Sequence, residues 1–217
     1  MNDPEEFAVH GSVDRSLTDE FPGLYLRSTL VERGSGRSTR GMKERLRILS
    51  DRFAGPQAIA MRSRPIPWAY RVFFRHIGLD PDEQPTPIEA LTLERMKKGG
   101  FVPNNLLDDA LTVAIVESGV AVRAFDADRV QGALAIRPSV EGETLEGRPG
   151  ELPAGTLVIG DELRPLALLF GATAAGRGVH PKSRRTLLVA IGVSGVPAIA
   201  VEEALWLAAE CMEGTRA

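Results

Sequence analysis

Apolar positions recur at helical spacing through the first half of the chain and as short runs broken by turn residues through the second. Residues 42 to 53 set Met42, Leu46, Leu49 and Phe53 on one face with Arg and Lys between them, which predicts a basic amphipathic helix. Beyond the turn at Pro65 and Pro67, Ala69, Val72, Phe73 and His76 form the stripe of a second helix ending near Gly78, with His76 at the core's edge. The stretch TPIE supplies a cap in Thr86, a first-turn proline in Pro87 and a capping-box carboxylate in Glu89, so a third helix runs to about Lys98 and stops at Gly99-Gly100. Asn104 or Asn105 opens a fourth, with Leu107, Ala110, Leu111, Ala114, Ile115 and Ser118 inward and Gly119 as its stop.

The segment 23 to 32 reads as an early strand, followed by a flexible Gly/Ser/Arg loop over 33 to 41. Later strands are expected at 133 to 137, 156 to 160, 165 to 170 and 186 to 191. A closing helix, roughly 197 to 213, carries Ala204, Leu205, Ala208 and Met212 on one face. Helices first and strands later argue for an α+β fold, its helices packed on mixed or antiparallel β-structure. The expected organisation is an N-terminal extension over 1–20 and a single domain over 21–217, with a basic insertion of loop and helix at 33–64.

With 43% hydrophobic and 25% charged residues among 217, the composition is that of a soluble globular protein. The acidic start, MNDPEEF, lacks the features of a secretory signal, and no stretch is long and apolar enough to span a bilayer. Cys211 is the single cysteine, so no internal disulfide forms and a reducing cytoplasm is the expected location. The net charge of −3 hides an asymmetry: twelve Lys/Arg against three acids from Arg27 to Arg75, but eight against sixteen from His76 to Gly176. The basic segment is either a nucleic-acid surface or a solvated connector.

Familiar catalytic patterns are absent: there is no phosphate-binding Gly-rich loop ending in Lys-Ser/Thr, no Gly-x-Ser-x-Gly elbow and no His-Glu-x-x-His helix. Asp108 and Asp109 are adjacent on a helix and point apart, and Asp126 and Asp128 read as turn residues, so no metal and no cofactor are expected. Residues 171 to 185 join His180 to Arg177, Lys182, Arg184 and Arg185, which suits either a phosphate-binding loop or a solvated hairpin connection.

One ordered series of short motifs carries more. It runs through Gly119, Arg123-Ala124-Phe125-Asp126, Asp128-Arg129-Val130-Gln131-Gly132, Leu145-Glu146-Gly147, Leu157-Val158-Ile159-Gly160-Asp161 and then Pro165 to Gly171. In order and spacing it resembles the editing module of the phenylalanyl-tRNA synthetase beta subunit, the B3/B4 domain, which reads His-Ala-Phe-Asp at the second step. The resemblance covers roughly residues 65 to 191, and freestanding members of the family share the helix-rich lead-in. No synthetase core fits in the remaining chain, so the resemblance implies a module and not a ligase.

By that resemblance the fold is B3/B4-like, and the partner is tRNA or aminoacyl-tRNA from which a wrongly attached amino acid is hydrolysed. The family's Thr-Asn pair falls on Leu111-Thr112, its histidine on Arg123 and its glutamate near Thr173. A substrate pocket of Asn105, Leu111, Thr112, Arg123, Gly171 and Thr173 is implied, with Arg177, Lys182, Arg184 and Arg185 toward the RNA. Arg123 cannot serve as a general base, though its fork suits a carboxylate or phosphate; the alternative for it is a salt bridge to Asp126 or Asp128. Two activities stay open: deacylation of mischarged aminoacyl-tRNA, or binding alone of tRNA, an amino-acid-like small molecule or a protein partner.

Overall fold

The computed structural model describes residues 7–53 and 55–214 and divides the strands between two four-stranded sheets. In chain order the elements are β1 (Val9–His10), β2 (Ser12–Val13), α1 (Arg15–Thr18), β3 (Tyr25–Val31), α2 (Arg40–Arg52), α3 (Pro56–Ala60), α4 (Pro65–His76), α5 (Pro87–Lys98) and α6 (Leu106–Ser118). There follow β4 (Ala121–Asp126), β5 (Ala135–Pro138), β6 (Leu157–Gly160), β7 (Pro165–Leu168), β8 (Thr186–Gly192) and α7 (Ala198–Glu213). The first sheet, ordered β1-β3-β8-β4, is antiparallel throughout. The second, ordered β2-β5-β6-β7, is mixed, because β2 runs parallel to β5 while the other pairs are antiparallel.

The architecture is therefore α+β, as the order of patterns predicts. Helices α6 and α7 pack on each other and reach the first sheet through β4, β8 and β3. Ala110, Val113 and Ala114 of α6 and Ala204, Leu205 and Ala208 of α7 are all at 0% exposure. Small side chains let the two helices approach closely, and each buried Leu or Val contributes about 1.5–3 kcal/mol relative to exposure.

Local signals place most of the helices where the pattern puts them. Thr86 and Glu89 form the capping box, and Gly99 and Gly119 end α5 and α6 in the left-handed region. Glu89 also ties α5 to α4, because its Oε1 accepts from Nη1 of the buried Arg71 at 2.5 Å. Tyr70 on α4 donates its buried hydroxyl to the carbonyl of Ile191 and accepts from the backbone N–H of Ala121, joining the helix to both β8 and β4. Burial pushes that phenol well above its ordinary range.

Four expectations need correction. The inward stripe of α4 is Ala69, Tyr70, Phe73 and Phe74, while Val72 is half-buried and His76 is exposed. Helix α6 is buried nearly all round, including Leu106, Val113 and Val116, and Leu111 and Ser118 are only half-buried. Residues 121 to 126, which fall in none of the expected strands, form a full strand paired with β8 along six positions. Residues 7–20, expected to extend from the domain, are laid across both sheets: β1 pairs with β3, β2 with β5, and Ala8 and Leu17 join the core. The first six residues of that expected extension lie outside the described residues.

Candidate functional site

Strand β4 carries the sequence's central motif, and its alternation places Arg123 and Phe125 on one face. Phe125 is fully buried, and the Arg123 guanidinium sits 5.3 Å from its ring centroid. From there Arg123 crosses to the second sheet and meets the turn after β7. Its Nη1 donates to the carbonyls of Leu168 at 2.7 Å and Leu169 at 3.3 Å, and its Nη2 to Gly171 O at 3.2 Å and Thr173 Oγ1 at 2.8 Å. Nε is buried with no partner, and desolvation pulls the guanidinium pKa down to about 10, so it stays charged at neutral pH. No carboxylate pairs with it among the described residues: Asp126 and Asp128 are engaged elsewhere.

The end of β4 is fastened to the loop over residues 177 to 185. Buried Asp126 accepts from Asp128 N at 3.1 Å and from Ser183 Oγ at 2.6 Å, with His180 Nε2 at 3.4 Å. Its own N–H donates to Arg177 O at 2.9 Å. His180 Nδ1 accepts from the N–H of Lys182, which leaves Nε2 as the protonated nitrogen facing Asp126. Ser183 therefore serves the turn: its hydroxyl donates to Asp126 and accepts from His180 N at 3.0 Å. Its proton points at the Asp126 carboxylate and not at an imidazole nitrogen.

Of the four cations expected to face RNA, two are occupied internally. Arg177 donates to Arg129 O at 2.9 Å and lies 3.4 Å from Glu146 Oε2, and Arg185 pairs with Asp128. Lys182 and Arg184 are exposed, and neither side chain has an ion pair or hydrogen bond among the described residues.

The basic segment before α2 arrives at the same place, which sequence reasoning missed. Thr186 donates its hydroxyl to Arg33 O at 2.6 Å, and Gly34 packs so tightly on the carbonyl of Ser183 that a Cβ there would overlap the oxygen. The loop then lies along the start of α6, where Leu106 and Leu107 donate their N–H groups to Gly36 O and Ser35 O and Ser38 donates to Asp109. Arg37, Arg40 and Lys43 emerge exposed and without side-chain partners among the described residues. Arg37, Ser38, Lys43, Pro103 and Asn104 line a concavity of about 530 Å³. The glycine at position 34 is the one trace of this approach in the sequence.

The remaining expected pocket residues fall in three places. Gly171 and Thr173 meet Arg123 as described. Leu111 and Thr112 instead line a groove of about 550 Å³ with Leu91, Glu94 and Lys98 of α5, and the Thr112 hydroxyl donates to Asp108 O at 2.8 Å. Asn105 caps α6, accepting from Asp108 N at 3.0 Å. Among the described residues, no group of three or more His, Cys, Asp or Glu could hold a metal ion, and no helix is long and apolar enough to cross a membrane.

Comparison with known proteins bears on this geometry. The B3/4 domain family matches residues 69–203, which is more than half of the chain. Among curated proteins, the phenylalanine–tRNA ligase beta subunit of Yersinia pestis is 33% identical over 100 residues, covering 44% of this chain and 12% of that subunit. The beta subunit of Xanthomonas euvesicatoria is 37% identical over 94 residues, covering 42% and 12%. The chain thus spans a small part of the relatives it matches.

Proposed function

The chain belongs to the B3/4 domain family, and on that premise we propose that it binds aminoacyl-tRNA in trans, gripping the RNA backbone with the two basic segments that meet at Gly34 and Ser183. The observation that carries this reading is that Gly34 meets Ser183, so two segments far apart in the sequence are in contact, and they bear five exposed cations with no internal partner among the described residues: Arg37, Arg40, Lys43, Lys182 and Arg184. Unpaired lysines and arginines are the groups that displace counterions from a phosphate backbone. The relatives are named as subunits of a tRNA ligase, which supports tRNA as the nucleic acid. A cytoplasmic location goes with that reading.

Binding without hydrolysis fits the residues better than deacylation. At the position where the resemblance places a histidine, Arg123 gives both terminal nitrogens to oxygens of its own chain. A protonated guanidinium cannot deprotonate water, and one so engaged has little left for a developing oxyanion. Deacylation is the second reading, favoured by the family relationship.

Filter binding of uncharged, correctly charged and mischarged tRNA across a salt series, with amino-acid release measured in the same tubes, separates the two. The expected result is binding that weakens steeply with salt and release at the rate of a protein-free control. Absence of salt-sensitive binding overturns the proposal, and selective release from one mischarged species moves the assignment to the deacylase.

A further inference from the structure

The end of α2 that lies away from the basic cluster borders a groove of about 420 Å³, closed in by the start of α4, the end of α6 and the first half of α7. Leu49, Phe53 and Val116 are buried at its floor, and Ile66, Ala200 and Leu207 flank them half-buried. On α7 the groove takes Ala200, Glu203 and Leu207, which recur at i, i+3 and i+7 and form one wall. Ile199 and Trp206, also seven apart, stand on the adjoining stripe of that helix at 71% and 53% exposure. A tryptophan and an isoleucine held that far into water beside a groove pair a knob with a hole, and exposed anchors of this kind mark protein contacts.

The charges on the groove point the same way. Arg52 and Glu203 are exposed, and neither side chain has a hydrogen bond or ion pair among the described residues. Arg64 is also exposed and has only the ring of Phe53 there, its guanidinium carbon 5.9 Å from the centroid. A fourth charge, Glu117, is taken by Arg45. Two cations and a carboxylate thus line one groove without meeting. We propose that the groove and the Trp206 stripe form the contact face of a homodimer, in which a second copy of this chain docks about a two-fold axis.

In a two-fold pair every contact occurs twice, so the surface must carry both halves of each interaction. This one does: Glu203 of either copy faces Arg52 and Arg64 of the other, and Trp206 of either copy fills the other's groove with Ile199 packed beside it. A small molecule in the groove would leave Trp206 and Ile199 in water. A partner of one charge sign would answer only one side of the rim. The basic cluster stays clear of the contact, because Arg40 and Arg52 are the two ends of α2, about 18 Å apart at 1.5 Å per residue. The inference goes beyond the tRNA reading and does not depend on it.

Sedimentation velocity of the purified full chain across a concentration series tests the proposal. The expected mass is that of two chains, with dissociation on dilution. Trp206→Asp should give a monomer with the wild-type circular dichroism spectrum, since that side chain is largely in water within one chain. Glu203→Arg alone, and Arg52→Glu with Arg64→Glu, each set like charges across the axis and should weaken association by at least about tenfold. The three substitutions together should restore it, which a local folding defect would not do. A monomer at every concentration overturns the proposal and leaves the face to a different protein. A dimer indifferent to Trp206→Asp and to both reversals overturns it as well, and so does a mass that keeps rising past two chains, the sign of a head-to-tail contact that never closes. Failure of the triple variant to regain association overturns the charge pairing. Trp206→Asp keeps tRNA binding per chain, and absence of tRNA binding in the wild type leaves the dimer standing.

Discussion

Arg123 and the cluster around Arg37, Lys43 and Arg184 are equally arginine-rich in the sequence and opposite in the fold. The Arg123 guanidinium is turned inward onto three backbone carbonyls and a hydroxyl, with desolvation pulling its pKa down to about 10. The others stand exposed with no internal partner among the described residues. A cation whose terminal nitrogens are both spent on its own chain is a strut, and one whose terminal nitrogens are free is available to a ligand. The count of basic residues does not separate these cases; the location of acceptors does.

Removing the strut should have the largest effect. Arg123→Ala abandons the carbonyls of Leu168, Leu169 and Gly171 at the junction between the two sheets; Leu169 is buried while Gly171 is exposed, and leaving a buried acceptor unpaired costs about 1–3 kcal/mol before water compensates. A net loss of about 2–4 kcal/mol is expected in urea unfolding, with tRNA affinity of the folded fraction unchanged. Unchanged stability with weakened tRNA binding would turn Arg123 into a ligand residue and collapse the comparison.

The converse experiment reverses the free cations. Arg37→Glu, Lys43→Glu and Arg184→Glu together should leave the unfolding midpoint unchanged while tRNA affinity drops by about a hundredfold or more. The slope of log K against log salt should become shallower by about 0.7–0.9 for each phosphate no longer neutralised. If the triple variant bound tRNA normally, the meeting of the loops at Gly34 and Ser183 would be architecture alone.

A smaller contrast lies within one loop. Ser183 bridges buried Asp126 to the N–H of His180, so Ser183→Ala should cost about 1–2 kcal/mol. Arg185 pairs with Asp128 at the surface, where solvent screens the attraction, and Arg185→Ala should leave the melting curve in place. Equal losses from both would mean that the exposed pair, too, fastens the loop.

How much of this could be read in the sequence follows from where each feature gets its partners. The caps at Thr86 and Asn105 and the stops at Gly99 and Gly119 act within a few residues, so local chemistry announces them. The order of motifs from Gly119 to Gly171 was enough to place the family. Beyond that, β1 and β2 are two residues each and pair with distant strands, which no periodicity can register. The pocket expected to unite Thr112 with Arg123 separated for a related reason. Helix α6 is apolar nearly all round, so its pattern does not say which side faces β4 and which faces α5. Arg123 was legible as a charge but not as a strut, because its acceptors are mostly backbone carbonyls, which every residue has. Gly34 was legible only as flexibility, whereas its use is close approach.

The same distinction reaches a third arginine and the single thiol, and it predicts the smallest effect. Arg45 Nη1 lies 3.2 Å from Cys211 Sγ, a placement that could stabilise a thiolate. Arg45 also pairs with Glu117 at 3.2 Å and Glu210 at 3.0 Å, so its charge is already answered by two carboxylates, and burial dominates by pushing the thiol pKa up to about 11. The folded state therefore keeps a proton that the unfolded chain releases near 9.0, so this group's stabilising contribution is complete below that pH and fades as the pH rises toward 11. At pH 8 iodoacetamide should label Cys211 slowly in native protein and rapidly once urea has unfolded it. Rapid native labelling with a midpoint near the ordinary thiol value would show that the Arg45 charge is not absorbed by Glu117 and Glu210. An arginine with internal carboxylate partners would then still be available to a third group, and pairing would no longer mark which cations this protein keeps for itself.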